Sequence, residues 1–95
     1  MNNLKTLKFD GSGGYSDCTH TVDNSEVVFS IQLSDDGFYE AIVRADGLQM
    51  LCAFSSMSRA QMWANYIYIE MQLDGVSRAF EKYPYAVKAY KGEVA

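Results

Sequence analysis

The sequence is poor in the residues that mark several specialised protein classes. Its 95 residues include two cysteines, one proline, one histidine and one tryptophan. So few cysteines exclude a disulfide-dependent miniprotein, and no apolar run approaches the roughly 18 to 20 residues that a membrane span needs. The N-terminal sequence MNNLKTLKFD lacks the continuous apolar stretch of a signal peptide. We therefore expect a cytoplasmic protein with no membrane partner.

Motifs for nucleotides, metals and nucleophilic catalysis are incomplete. The glycine-rich residues 10–14 are not followed by Gly-Lys-Ser/Thr, so they predict a flexible loop instead of a phosphate cradle. Cys18 and His20 share one face of a predicted strand, but zinc needs four ligands and only Cys52 remains to join them. A Cys–His nucleophile would need a third orienting group and a cleft. We expect no cofactor, no metal and no enzymatic activity, with both cysteines reduced.

The composition is that of one folded domain spanning residues 1–95. Hydrophobic residues make up 48% of the chain and aromatic residues 14%, enough to form a core. The net charge of −4 is unevenly distributed. Residues 1–46 hold eight acidic and three basic residues, whereas residues 47–95 hold four acidic and five basic ones. This balance disfavours direct nucleic-acid binding and favours a protein partner with a basic surface, unless the acidic residues serve only solubility.

The strongest structural signal is a β-meander over residues 26–54. Residues 26–34 alternate apolar and mostly polar side chains, and residues 38–45 and 48–54 divide their side chains between two faces with the same period of two. The Asp-Gly pairs at 36–37 and 46–47 separate them and favour tight hairpin turns. Upstream, residues 4–9 predict a half-buried strand, and residues 15–22 predict an edge strand that pairs back on it.

A helix is predicted over residues 57–74, between serine N-caps at 55–58 and a C-terminal Gly75. At 100° per residue its side chains fall into three groups. A stripe expected to lie on the sheet contains Ala60, Trp63, Ala64, Ile67 and Met71. A second apolar stripe, expected to face the tail or another subunit, contains Met62, Tyr66, Ile69 and Leu73. A polar face contains Gln61, Asn65, Tyr68 and Gln72.

The C-terminal residues predict a short helix followed by a strand or an extended arm. Val76, Phe80 and Tyr83 have helical spacing, and Pro84 ends that helix. Residues 85–90 follow as a last strand or arm. The whole pattern predicts an α+β fold: an antiparallel sheet of four or five strands packed against one main helix, plus the short C-terminal helix or arm.

This small acidic sheet, followed directly by a helix where residues 53–56 lead into residues 59–63, resembles the small phage-encoded anti-CRISPR proteins and similar host-takeover factors. The resemblance covers size, charge and architecture over the whole chain, and no motif carries it. It implies a non-enzymatic inhibitor that occludes the nucleic-acid-binding surface of a target protein in the host-cell cytoplasm, often through acidic side chains.

Tyrosine and methionine are abundant in the C-terminal third and are typical of protein interfaces. The predicted partner-binding residues are Asp35, Asp36, Glu40, Tyr66, Tyr68, Tyr83 and Tyr85. The alternative function is a small structural or assembly subunit that forms homo-oligomers, such as a homodimer, through its helix. An enzyme or a small-ligand carrier is less favoured, because the acidic residues fall in predicted turns and not as a convergent pair.

Overall fold

Alternating apolar side chains build an antiparallel sheet from strands that follow one another along the chain. The computed structural model describes residues 5–9, 15–82 and 87–89. Four strands form a meander: β1 (Tyr15–Val22), β2 (Ser25–Leu33), β3 (Tyr39–Ala45) and β4 (Leu48–Phe54). A three-residue strand, β5 (Val87–Ala89), pairs with β4 within the predicted region 85–90. The predicted meander and the α+β fold class are confirmed.

One face of the sheet is covered by α1 (Met57–Asp74), whose bounds match the predicted helix. The strand register puts Phe29, Val43 and Met50 side by side under this helix, and all three are fully buried. Ala60, Ala64, Ile67 and Met71 form the buried side of α1, as the first apolar stripe predicts. The opposite face of the sheet has no helix over it among the described residues. The main core therefore lies between α1 and the sheet.

Both ends of α1 are fixed by local hydrogen bonds that the sequence predicts. The Ser56 side chain accepts a hydrogen bond of 3.2 Å from the backbone N–H of Arg59. At the other end Gly75 has φ +95°, and its N–H donates to the Met71 carbonyl at 2.8 Å. Only glycine adopts that φ without strain, so the chain leaves α1 here. The next helix, α2 (Val76–Lys82), starts at the following residue.

The short helix α2 fills one end of the core without covering the outer side of α1. Its residues Val76, Ala79 and Phe80 are buried together with Val27 and Met71. The predicted helix ended at Tyr83, which lies outside the described residues. Neither α1 nor α2 has the length and hydropathy needed to cross a membrane.

The prediction of a strand at residues 4–9 is wrong for the described residues 5–9. This segment lies along α1, where Leu7 and Phe9 pack against the core. β1 pairs with β2 and forms an edge of the sheet, and no backbone hydrogen bond joins it to residues 5–9. An alternating pattern fixes which side chains point inward. It does not fix which groups bond the backbone.

Neither cysteine forms a disulfide, and both are half-buried. Cys18 lies on β1 and Cys52 on β4, with β2 and β3 between them. Three strand spacings of about 4.8 Å separate their strands by roughly 14 Å, which is too far for a disulfide. The predicted absence of a disulfide between them therefore has a geometric reason.

Candidate protein-binding surface

The side of α1 that faces away from the sheet carries the largest exposed apolar side chains of this helix. Met62 is 68% exposed, Tyr66 is 51% exposed and Leu73 is 56% exposed. With the half-buried Ile69 they form the second predicted stripe, which we call the outer stripe. The prediction offered the tail or another subunit as its cover. Among the residues that the structure describes, α2 does not cover it.

An ion-pair network holds α1 and α2 together beside the outer stripe. Lys82 on α2 donates to the carboxylates of Glu70 and Asp74 on α1, the second at 3.2 Å. The hydrogen bond from Lys82, followed by one from the Tyr66 hydroxyl, lowers the pKa of Glu70. The same two carboxylates raise the pKa of Lys82, Glu70 having the larger effect. This network joins the C-terminal half of α1 to α2.

The predicted acidic residues Asp35 and Asp36 are exposed in the turn between β2 and β3, which we call the acidic turn. Gly37 has φ +87° and its N–H donates to the Ser34 carbonyl at 3.0 Å. The Ser34 hydroxyl donates to Asp36 Oδ1 at 3.0 Å. Phe38 follows the turn and is 48% exposed, so this end of the sheet carries an exposed aromatic ring as well as two carboxylates.

The predicted partner-binding residues do not form one surface. Glu40 pairs with Gln32 and Ala53, and this register position puts it on the sheet face opposite α1. Tyr66 is on the outer side of α1, so the two residues lie on opposite sides of the molecule. The acidic turn lies at the end of the sheet from which the chain enters α1, since Tyr39 pairs with both Leu33 and Phe54. Tyr83 and Tyr85 lie outside the described residues.

The prediction that Tyr68 belongs to the polar face of α1 is wrong, because its side chain is only 2% exposed. Its ring packs edge-on against Phe29 and tilted against His20. Its hydroxyl shares a hydrogen bond of 3.3 Å with His20 Nδ1. Burial, followed by the charge of Cys18, raises the pKa of Tyr68. Tyr68 is a core residue and does not line the surface that a partner would contact.

Sequence reasoning raised metal binding and nucleophilic catalysis at Cys18 and His20, with Cys52 as a further possible zinc ligand. The structure places the His20 ring beside Tyr68. Burial raises the pKa of the Tyr68 phenol, so a smaller fraction of it is ionised and able to act as a general base at neutral pH. In the described part of the chain no group of three or more His, Cys, Asp or Glu side chains is placed to hold a metal ion.

A shallow pocket of about 270 Å³ lies at the far end of the uncovered sheet face. Glu26, Arg44 and Asp46 supply its charged lining. The Arg44 Nε donates to Gln49 at 2.8 Å, and Asp46 accepts from the Ser25 hydroxyl at 3.0 Å. Arg44 and Asp46 are therefore engaged in hydrogen bonds. The pocket lies at the opposite end of the strands from the acidic turn.

Sequence reasoning missed the role of the remaining polar face of α1. Gln72 and Asn65 bind the main chain of residues 5–9, which we call the N-terminal segment. Next to the contact, a pocket of about 240 Å³ is lined by Leu7, Phe9 and Met62 together with three polar residues of α1. The available signal was the seven-residue spacing of the two amides, which aligns them on one side of a helix.

Comparison with known proteins adds no relative to this description. No family model matches the chain, and no curated protein or solved structure matches it significantly.

Proposed function

We propose that this chain is a non-enzymatic binding protein that inhibits a protein partner by occluding its surface. The observation that carries the proposal is the exposure of Met62, Tyr66 and Leu73 on one side of a capped helix. They span twelve residues, about 16 Å of helix. Contiguous exposed apolar side chains are typical of interaction sites. Tyrosine and methionine suit such a site, because one gives a large rigid contact and the other adapts to its partner.

The charge of the chain favours a partner with a basic surface. The net charge is −4, and the acidic turn projects Asp35 and Asp36 at the end where α1 begins. Neighbouring carboxylates such as these accelerate association with a positively charged surface. A partner that covers the outer stripe and extends beyond the start of α1 reaches the acidic turn. Glu40 faces the other side and is left out of this contact.

The target class that we propose is a nucleic-acid-binding protein in the cytoplasm of a host cell, as the resemblance to anti-CRISPR proteins implies. Carboxylates that occupy sites made for phosphates prevent the nucleic acid from binding. The inhibitor needs no catalytic group for this action, since occupancy alone blocks the site.

The test adds the chain to purified CRISPR effector complexes of several types and measures their binding to target DNA by electrophoretic mobility shift. We expect the wild-type chain to prevent DNA binding by at least one complex. The variant Tyr66→Gln/Leu73→Gln and the variant Asp35→Asn/Asp36→Asn should both inhibit less. Asp46→Asn is the matched control, because it removes one charge at the opposite end of the sheet and asparagine tolerates the local φ of +51°.

Retention of DNA binding by every complex contradicts the inhibitor function. If the wild type and both variants inhibit equally, the proposed binding surface is wrong, but the inhibitor function is not contradicted.

A second candidate function is an assembly subunit that self-associates through α1. The outer stripe has spacings of four, three and four residues, which is the repeat of a two-helix seam. Sedimentation equilibrium separates the two functions. A dimer that the variant Tyr66→Gln/Leu73→Gln abolishes supports the assembly subunit, and a wild-type monomer contradicts it.

A further inference from the structure

The turn after β1 fixes which main-chain groups of this strand point away from the sheet. Asp23 and Asn24 have φ of +52° and +67°, so the connection to β2 is a two-residue turn of type I′. The residues that flank such a turn, Val22 and Ser25, exchange hydrogen bonds with each other. Val22 and every second residue before it therefore bond β2, and the alternate residues of β1 direct their N–H and C=O groups outward.

Asp17, Thr19 and Thr21 are outward residues of β1, and we call their main-chain groups the β1 edge. Within the described ranges no hydrogen bond from a third element reaches these groups. Thr19 and Thr21 are exposed, and Asp17 is half-buried. The main helix lies over β2, β3 and β4 instead of over this strand. The β1 edge is therefore accessible to another extended chain.

The β1 edge lacks the features by which proteins keep sheet edges from pairing. Protected edge strands are very short, or they carry lysine, proline or a bulge. In contrast, β1 has eight residues without lysine or proline, and its pairing with β2 is continuous over all eight. On the opposite side of the described sheet, β5 has three residues, one of them Lys88. The sheet can therefore be extended on the side of β1.

We propose that two copies of this chain pair antiparallel through their β1 edges, with Thr19 of one copy opposite Thr19 of the other. A two-fold axis normal to the sheet relates the copies, so Asp17 lies opposite Thr21 on each side of the axis. These three pairs make about six main-chain hydrogen bonds between the copies.

The two main helices do not obstruct this pairing. Both α1 helices lie on the same face of the joined sheet, and β3 beneath them is two strands inward from the β1 edge. Five strand spacings of about 4.8 Å put the helices roughly 24 Å apart, whereas packed helices need only about 10 Å. The pairing uses the long edge of each copy and leaves the short β5 edges outside, so assembly stops at two copies.

Charge selects this register from the others that a two-fold axis allows. Neighbouring registers put Asp17 opposite Asp17 or opposite Asp23, and like charges that face each other across strands are destabilising. Another puts Asp17 opposite Thr19, which brings the two Asp17 residues to about 7 Å along the strands. With Thr19 on the axis they are about 13 Å apart, beyond the Debye length of about 8 Å at physiological salt. Each carboxylate then faces a threonine hydroxyl.

The occupant that fits the β1 edge is a second copy, because β1 matches itself in length and charge. A foreign peptide that adds to a sheet edge is selected by pockets for its alternate side chains. The two pockets described above are lined by residues 26–47 and by residues of the N-terminal segment and α1, and neither includes a residue of β1.

The first experiment measures amide hydrogen exchange of the wild-type chain by NMR. Samples at about 20 μM and about 1 mM span the Kd expected of a small interface. The Thr19 and Thr21 amides should exchange several times more slowly at the higher concentration, because each donates to the other copy. Cys18 and His20 are internal controls, since their N–H groups bond β2 in either state and should change little. Unchanged exchange of Thr19 and Thr21 overturns the proposal and leaves the proposed inhibitor function untouched.

The second experiment compares variants of Thr19 by sedimentation equilibrium. At about 1 mM the wild type should approach twice the monomer mass, with no larger species. Thr19→Pro removes the outward N–H at a position where an edge strand tolerates proline, and Thr19→Lys puts two positive charges opposite each other. Both variants should be monomers. Thr19→Val is the matched control and should remain a dimer, because valine keeps the N–H and suits a strand.

The variants also separate the β1 edge from other contacts. A dimer that persists in folded Thr19→Lys overturns the proposal, and so does a dimer that only Tyr66→Gln/Leu73→Gln dissociates. A monomeric wild type whose Thr19 amide is protected only after addition of an inhibited CRISPR effector complex would show that the edge pairs with a strand of that target. That result also overturns pairing between two copies, while it supports the inhibitor function.

Discussion

At the scale of single residues, the structure gives different roles to aromatic side chains that look alike in the sequence. Tyr66 and Tyr68 are two positions apart on α1, yet one is exposed and the other is buried. The His20 ring, at 4.8 Å between centroids, and the Phe29 ring account for the burial of Tyr68. Because tyrosine has an apolar body and a polar tip, helical spacing alone could not assign these roles.

The raised pKa of Tyr68 predicts a loss of stability in alkali. Burial, followed by the charge of Cys18, disfavours the phenolate in the folded state. The contribution to stability is constant below the unfolded pKa, which lies near 10, and falls as pH rises through the higher folded pKa. Tyr68→Phe should flatten the pH dependence of the free energy of unfolding above this point, without removing the part due to Lys82. Denaturant titrations at several pH values measure it.

The matched control for this prediction is Tyr66→Phe, which changes an exposed ring on the same helix. At neutral pH, Tyr68→Phe should lower the free energy of unfolding by about 1 kcal/mol through the lost hydrogen bond to His20. An alkaline slope that is the same in wild type and Tyr68→Phe speaks against this assignment.

The packing of Trp63 predicts that its truncation lowers the free energy of unfolding. Its ring is half-buried, lies tilted against the Phe54 ring with 5.8 Å between centroids, and packs against both core clusters. Trp63→Ala should lower the free energy of unfolding by about 3 kcal/mol, the low end for a large aromatic residue, because part of the ring is exposed. Chemical denaturation measures it, with Trp63→Phe as the milder control. An unchanged midpoint for Trp63→Ala would remove this ring from the core.

At the scale of elements, sequence patterns predicted what depends on local geometry. The meander follows from alternation and two Asp-Gly turns, and α1 follows from Ser56 and Gly75 at its ends. The N-terminal segment was predicted wrongly because its alternating pattern suits a sheet partner and a helix groove equally. Which backbone groups bond Lys5 and Leu7 depends on amides more than fifty residues away.

The amides of α1 predict how firmly the N-terminal segment is held. Gln72→Ala removes both hydrogen bonds to Lys5, so trypsin should cut after Lys8 faster, by about fivefold for each 1 kcal/mol lost. Mass spectrometry of timed digests measures the cut. Ser77→Ala, at an exposed position on α2, is the control and should leave the rate unchanged. An equal cutting rate in Gln72→Ala shows that the amide does not retain the segment.

At the scale of the whole molecule, the predicted site is divided between two sides. Composition predicted an acidic first half and a tyrosine-rich C-terminal third. It could not show that Glu40 and Tyr66 would be separated by the sheet, because that follows from strand register. The outer stripe is exposed because α2 packs elsewhere: its apolar residues are buried at one end of the main core. Among the described residues, the outer stripe and the acidic turn are exposed, and they are the surfaces that we propose for a partner.

The most direct test of the protein-binding account is the free energy of unfolding of the variant Tyr66→Gln/Leu73→Gln, measured by denaturant titration. If the outer stripe serves binding, these side chains are not needed for folding, and we expect a value within about 0.5 kcal/mol of the wild type. The buried pair Ile67→Ala/Met71→Ala is the control and should lose several kcal/mol. A loss of about 2 kcal/mol or more in the outer-stripe variant would mean that the chain itself covers this surface, and would contradict its use for a partner.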